Sequence, residues 1–171
     1  MPALLSREQS VFDTTRGLAL AEHFQVAYVT NDMDRACDLF RQRMGIREFR
    51  QIGGTTPMGG EIRVELAWVG TVMYELMTAS GPGSELYNGR LPQGDGFRIG
   101  MHHLGYLVHD VGQWDSAIAR AEAEGLAVPY RNHNAGFMRA CFVDAPELGH
   151  YLEYICPEPA GLDFFAGVPR H

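Results

Sequence analysis

Two short segments of the chain place a glutamate between a tyrosine and a leucine: Tyr74-Glu75-Leu76 and Leu152-Glu153-Tyr154. The two glutamates are 153 − 75 = 78 residues apart. The same offset, 103 − 25 = 78, relates the segment from Gln25 to Asp32 (QVAYVTND) to the segment from His103 to Asp110 (HLGYLVHD). An imidazole, two carboxylates and an amide oxygen form a donor set that suits one divalent cation and leaves positions for water or substrate. Taken singly, each has a plainer role: a solvated strand Glu, a hydrogen-bonded His, a polar Gln. The common offset is what joins Gln25, Glu75, His103 and Glu153 into one candidate site.

Strands must position these residues, because side chains alternate across a strand and one face gathers every second residue. Residues 23–30 alternate as a strand. Asn31 or Asp32 then caps a helix with apolar residues at Met33, Ala36, Cys37, Phe40 and Met44, which Gly45 stops. In the second half, 101–108 is the strand, Asp110 the cap, Val111, Trp114, Ile118 and Ala121 the apolar stripe, and Gly125 the stop. Three strand-like runs follow each helix, at 46–52, 61–69 and 71–78, and at 126–131, 136–143 and 150–156. The uniformly apolar faces are expected to cover the helices. That leaves Gln25, Glu65, Glu75, His103 and Glu153 on the other face, with His23 beside Gln25 and with His102 turned away. Unpaired buried carboxylates are costly, and a cation would compensate them. Glu65 has no counterpart, since position 143 is Val, so its expected place is beside the metal.

The rest of the chain sets limits. A length of 171 residues suits about one domain. Within it, 1–22 form an N-terminal arm, 23–79 a first module, 80–100 a glycine-rich connector that lies over the site, 101–156 a second module, and 157–171 a tail. Fourteen basic against 21 acidic residues give a net charge of −7, and no basic block is present, so neither nucleic acid nor a membrane is an expected partner. Cys37, Cys141 and Cys156 form no CxxC pair, no stretch approaches 18 apolar residues, and no signal peptide is visible, so the expected location is cytoplasmic.

The segments Gln25–Val29 leading into Asp32–Ala36, Tyr74-Glu75-Leu76, Gly100–Tyr106 and Tyr151–Ile155 resemble the vicinal oxygen chelate superfamily, which includes glyoxalases, bleomycin-resistance proteins and extradiol dioxygenases. The resemblance covers about residues 23–156. It implies an α+β fold in which two tandem βαβββ modules pair into a curved half-barrel sheet, with the site in its concave face. Carried over by position, the metal ligands fall on Gln25, Glu75, His103 and Glu153. A Gln, Glu, His, Glu quartet is similar to that of glyoxalase I, a lyase. The connector ending in Gly-Met-His-His resembles the methylmalonyl-CoA epimerase branch. There a third-strand glutamate matching Glu65 serves as an acid/base, and the first-strand ligand is usually His instead of Gln25.

The resemblance implies one divalent ion per chain (Zn, Ni, Co, Mn or Fe) and a small carbonyl or thioester substrate. The expected chemistry is isomerisation, epimerisation or lyase cleavage through an enediolate or enolate, with Glu153 and Glu65 as catalytic carboxylates and a homodimer as assembly. Two other functions belong to the same fold. One is non-catalytic sequestration of a small molecule. The other is ring-cleaving dioxygenation, whose iron site uses two histidines. For an anionic thioester, Arg63, Arg90, Arg98, Arg131 and Arg139 are the available cations.

Overall fold

The computed structural model describes residues 13–171. Its first module runs β1 (Glu22–Thr30), α1 (Met33–Met44), β2 (Arg50–Thr55), β3 (Glu61–Val69) and β4 (Val72–Ser80). A short helix α2 (Glu85–Asn88) interrupts the connector. The second module repeats the order: β5 (Ile99–Leu107), α3 (Val111–Ala123), β6 (Tyr130–Asn134), β7 (Met138–Ala145) and β8 (His150–Pro157). The tail forms α4 (Pro159–Ala166). The eight strands make one sheet in the order β2-β3-β4-β1-β5-β8-β7-β6, so each half-sheet is the other's mirror in connectivity, and β1 and β5 meet antiparallel at the centre. This is the α+β half-barrel that the two βαβββ modules imply.

Local chemistry fixes the helices. The Asp32 carboxylate accepts from the Arg35 N–H at 3.0 Å, and that of Asp110 accepts from the Gln113 N–H at 2.8 Å. Each occupies an N-cap and satisfies a donor that the first turn leaves open. Gly45 (φ 73°) and Gly125 (φ 74°) take the left-handed conformation that ends α1 and α3. The helices cover the convex face. Met33, Ala36, Cys37 and Phe40 of α1 pack on Ala67 and Leu76, while Trp114, Ala117, Ile118 and Ala121 of α3 pack on Tyr106, Val143, Leu152 and Tyr154. A third cluster, with Val64, Leu66, Met73, Met77, Phe142, Tyr151 and Ile155, fills the concave face.

The edge strands β2 and β6 begin four residues later than the expected 46 and 126. Ile46 is apolar because it is buried with α1, and Leu126 and Val128 because they pack with α3, so their hydrophobicity reports loop packing and not strand pairing. The tail packs on the chain's own sheet: the Trp68 N–H donates to the Pro169 carbonyl at 2.8 Å, the His171 N–H to the Trp68 carbonyl at 2.9 Å, and the Trp68 indole to the Phe165 carbonyl at 3.1 Å. The described part of the N-terminal arm packs on the α3 side, where the Tyr154 hydroxyl donates to the Leu18 carbonyl. Residues 1–12 of that arm lie outside the described residues. Among the described residues no helix is long and apolar enough to cross a membrane.

Candidate metal centre

Strand register brings the four offset residues together. In the central pairing Gln25 sits opposite Gly105 and Ala27 opposite His103, and the outer neighbours pair Ala27 with Glu75 and Gly105 with Glu153. Each ligand candidate on β1 or β5 therefore faces a small residue on the other strand. The space is needed. A Cβ on Gly105 would lie 2.5 Å from Gln25 Oε1 and 2.7 Å from its Cβ.

Both central strands carry a β-bulge just before the ligand candidate. Pairing jumps from His23 to Gln25 on β1 and from His103 to Met101 on β5, which leaves Phe24 and His102 as the extra residues. These positions are also 78 apart. A bulge turns the extra residue toward the same face as its neighbour, and strict alternation fails at both places. His102 therefore lies on the concave side, stacked on Tyr87 (5.5 Å between centroids, 17° between planes) and against Phe142 and Tyr151, instead of turned away as alternation implied. His23 is correspondingly displaced from the Gln25 face and lies against Tyr106, on the α3 side.

Glu75, His103 and Glu153 offer donor atoms that all lie within 4.8 Å of one another. Two ligands on opposite sides of one ion are about 4.2 Å apart at a 2.1 Å bond length. Gln25 completes the group: its side-chain amide donates a short hydrogen bond to Glu75 Oε2. With the carboxylate ionised, as it is when it holds a cation, that bond orients the amide, since the reverse orientation would set oxygen against carboxylate. Gln25 Oε1, His103 Nε2 and Glu153 Oε2 are all buried without a hydrogen-bond partner. His103 Nε2 and Glu153 Oε2 lie 2.9 Å apart, an ion pair once the imidazole is protonated. Buried polar groups are normally paired, and an amide oxygen, an imidazole and a carboxylate that meet no other partner in one space are the pattern a cation resolves.

Electrostatics agree. Burial pushes the Glu75 carboxyl up to about 7, with His103 opposing and Glu153 adding to the rise. Burial alone would lower His103, but Glu153 and Glu75 outweigh it and the imidazole is raised. In the metal-free protein a proton thus takes the place a cation would hold. His102 is driven the other way, well below the usual imidazole range, by burial and by the adjacent His103.

The space beside these groups is a cavity of about 230 Å³. Tyr87, Tyr130, Phe137, Phe142, Phe164 and Phe165 supply rings to its wall, and Ile52, Val64, Leu66, Met77 and Ile155 aliphatic surface. Of the expected positions, Gln25, Glu75 and Glu153 line it directly, and His103 lies in the sheet between Glu75 and Glu153. Among the described residues no arginine lines this cavity. Arg63 and Arg98 instead border a larger cleft of about 700 Å³ at the ends of β1, β3 and β4, which contains none of the four ligand candidates.

Glu65 is not in the site. Its cross-strand partner is Leu76, which packs under α1, whereas Leu66 pairs with Glu75 on the concave side. Glu65 is buried on the α1 side, where its carboxylate accepts from Arg63 Nε at 3.1 Å and Nη2 at 2.8 Å. The apolar face of β3 lines the cavity instead of covering the helix, so the rule that apolar faces meet helices reverses there. Sequence reasoning missed His102, Tyr87 and the aromatic wall. The His102-His103 doublet, set at the position Phe24 holds in the first module, was the available signal.

A family model described as the glyoxalase/bleomycin resistance protein/dioxygenase superfamily matches residues 24–142. A search of curated proteins finds no relative. Among solved structures, a methylmalonyl-CoA epimerase from Mycobacterium tuberculosis is similar at a TM-score of 0.59 and 15% identity, over 95% of this chain and 97% of its own. A Streptomyces coelicolor methylmalonyl-CoA epimerase variant in complex with 2-nitronate-propionyl-CoA matches at 0.55 and 17%, over 80% and 97%. A mutant of 4-hydroxymandelate synthase from Streptomyces coelicolor matches at 0.52 and 13%, over 92% of this chain and 51% of its own. These likenesses establish the shared fold, and the family model spans most of the chain: the protein belongs to the glyoxalase/bleomycin resistance protein/dioxygenase superfamily.

Proposed function

We propose that this chain is a divalent-metal-dependent enzyme that holds a small carbonyl compound through two adjacent oxygens and moves a proton beside the carbonyl. The observation that carries this is the convergence of Gln25 Oε1, His103 Nε2 and Glu153 Oε2, all buried and with no hydrogen-bond partner outside the group, with Glu75 beside an apolar cavity. One Zn, Ni, Co, Mn or Fe ion fits the donor set. Bound there, such an ion supplies Lewis-acid polarisation of the carbonyl.

The chain's own groups do the rest. Glu153, released from the ion, would take and return the proton through its carboxylate. The aromatic wall excludes water, which strengthens every charge interaction inside. Burial keeps the Tyr87 and Tyr130 phenols protonated, so both remain hydrogen-bond donors at the wall. With Glu65 on the α1 side, no carboxylate outside the ligand set faces the cavity among the described residues. The absence of an arginine among the described residues of the wall favours a substrate whose remaining portion is uncharged and apolar. We extend the proposal to a cytoplasmic homodimer: Leu148 and Leu162 are exposed apolar side chains, and the three cysteines are buried and unpaired, as a reducing compartment allows.

The test is elemental analysis of protein purified without chelator, followed by deuterium exchange into 2-oxo acids and acyl thioesters. One ion per chain is expected, and Glu153→Gln should abolish exchange. A preparation that neither carries nor takes up any of the five ions overturns the proposal. A second function, sequestration of an aromatic ligand, rests on the six rings in the cavity wall. It is distinguished by tight binding without turnover in the metal-loaded protein.

A further inference from the structure

We propose that His102 is a positioning residue that locks His103 in the tautomer with its proton on Nδ1, so that Nε2 turns its lone pair toward Glu75 and Glu153. The purpose of this lock rests on the metal-centre reading; the tautomer itself does not.

Each hydrogen bond has a direction that its partners fix. His102 is fully buried, and its two ring nitrogens have one polar neighbour each. Nε2 lies 3.3 Å from the carbonyl oxygen of Leu86, in α2. A carbonyl only accepts, so this nitrogen bears the His102 proton. A neutral ring carries one N–H, so His102 Nδ1 is an acceptor. That atom lies 2.8 Å from His103 Nδ1, which must therefore donate. The His103 Nδ1 proton is thus committed to the side away from the site, and Nε2, 2.9 Å from Glu153 Oε2, is the atom that takes up a second proton or gives its lone pair to a cation. Without that second proton or a cation, the two atoms would be acceptors in contact. A metal-ligating imidazole generally has its other N–H held by an acceptor, and that acceptor is ordinarily a carboxylate, a carbonyl or water. Here it is a second imidazole, itself tied to the connector helix.

The lock rests on the β5 bulge, which brings His102 to the same face as its neighbour. It also gives the connector a defined task, since the Leu86 carbonyl sets the tautomer of both rings in turn. The first module has no such need. There the bulged residue is Phe24, and the ligand candidate Gln25 is oriented by its own amide through Glu75.

Long-range proton–nitrogen NMR of the metal-free protein, followed with rising pH until His103 gives up its second proton, reads the tautomer directly. His103 should show a protonated Nδ1 and a bare Nε2. In His102→Phe, which copies the residue type at Phe24, the two tautomers should mix. In His102→Gln, which keeps one donor and one acceptor, the Nδ1–H form should be retained. Zinc affinity, measured by competition with a chromophoric chelator, should fall about ten- to a hundredfold in the Phe variant and recover most of the loss in the Gln variant. A wild-type protein with its proton on Nε2 overturns the proposal, as does a folded Phe variant that binds zinc as tightly as wild type. If wild type shows the Nδ1–H form but binds no zinc, the lock stands and the metal-centre reading falls.

Discussion

At the scale of single residues, Gln25, Glu65, Glu75 and Glu153 are polar side chains in strands, and sequence offers little to separate them. What separates them is which side of the sheet each meets. Glu75 and Glu153 share a face with His103: Glu75 accepts from the Gln25 amide, and Glu153 Oε2 is left without a hydrogen bond. Glu65 has its capacity met by Arg63, whose side chain is 42% exposed and also reaches Asp34 at 3.5 Å. It fixes the Arg63 guanidinium, which in turn reaches Asp34 of α1. Glu65→Gln should therefore cost about 1 kcal/mol of stability, the scale of one charge-assisted hydrogen bond to a partly solvated partner. It should leave metal content and turnover unchanged. Thermal melts alongside turnover assays decide this, because an unchanged melting temperature with lost turnover would return Glu65 to the chemistry.

At the scale of elements, the site is built from a repeated device: a bulge, a ligand candidate one residue later, and a small residue across the central ladder. Gln25 with Gly105 and His103 with Ala27 are its two copies. The ladder tolerates little change. Gly105→Ala would set its new methyl 2.7 Å from the Gln25 Cβ, an atom that no rotamer change can move. Strain of about 1–3 kcal/mol is expected, with weaker metal binding as Gln25 is displaced. A melting temperature and zinc affinity equal to wild type would mean that β1 and β5 shift apart without cost. This device also shows what sequence could reveal. The offset of 78 exposed the ligand candidates and the module order, because duplication preserves spacing whatever the local geometry. The α1 and α3 boundaries were legible for a local reason, since cap and stop residues act on the adjacent turn. Face assignment failed where structure departs from strict alternation. A bulge at Phe24 and His102 shifts the count by one, and β3 turns its apolar side to the cavity because that cavity is itself lined with apolar groups. The aromatic wall was out of reach, since Tyr87 comes from the connector and Phe164 and Phe165 from the tail, and only tertiary packing brings them to the sheet.

At the scale of the whole molecule, the four ligand candidates come from the four central strands, β4-β1-β5-β8, two from each module. One cation there would join the two halves of the sheet. Its absence should be visible as a pH effect on stability. The Glu75 carboxyl is raised to about 7, so between its ordinary range and that value the folded protein holds a proton that the unfolded chain has released. The raised His103 does the same above the usual imidazole range. Where the folded state binds more protons, stability falls as pH rises. The metal-free protein should therefore lose stability at this site from about pH 5 upward, through about pH 7 and beyond. Bound metal has the opposite dependence, because its ligands must be deprotonated, so affinity grows with pH. At a free metal concentration about a hundred times the Kd, binding adds roughly 2.7 kcal/mol. The difference in melting temperature between zinc-loaded and chelator-treated protein should thus widen from acid to neutral pH. Taking that difference at each pH cancels titrations elsewhere, including that of Glu158, which His133 and the Gly136 N–H hold below the usual carboxylate range. Differential scanning calorimetry across this range reads the effect. A gap that is constant, or that narrows as pH rises, would mean that Glu75 and His103 keep their protons with the ion present, and would remove both from the ligand set.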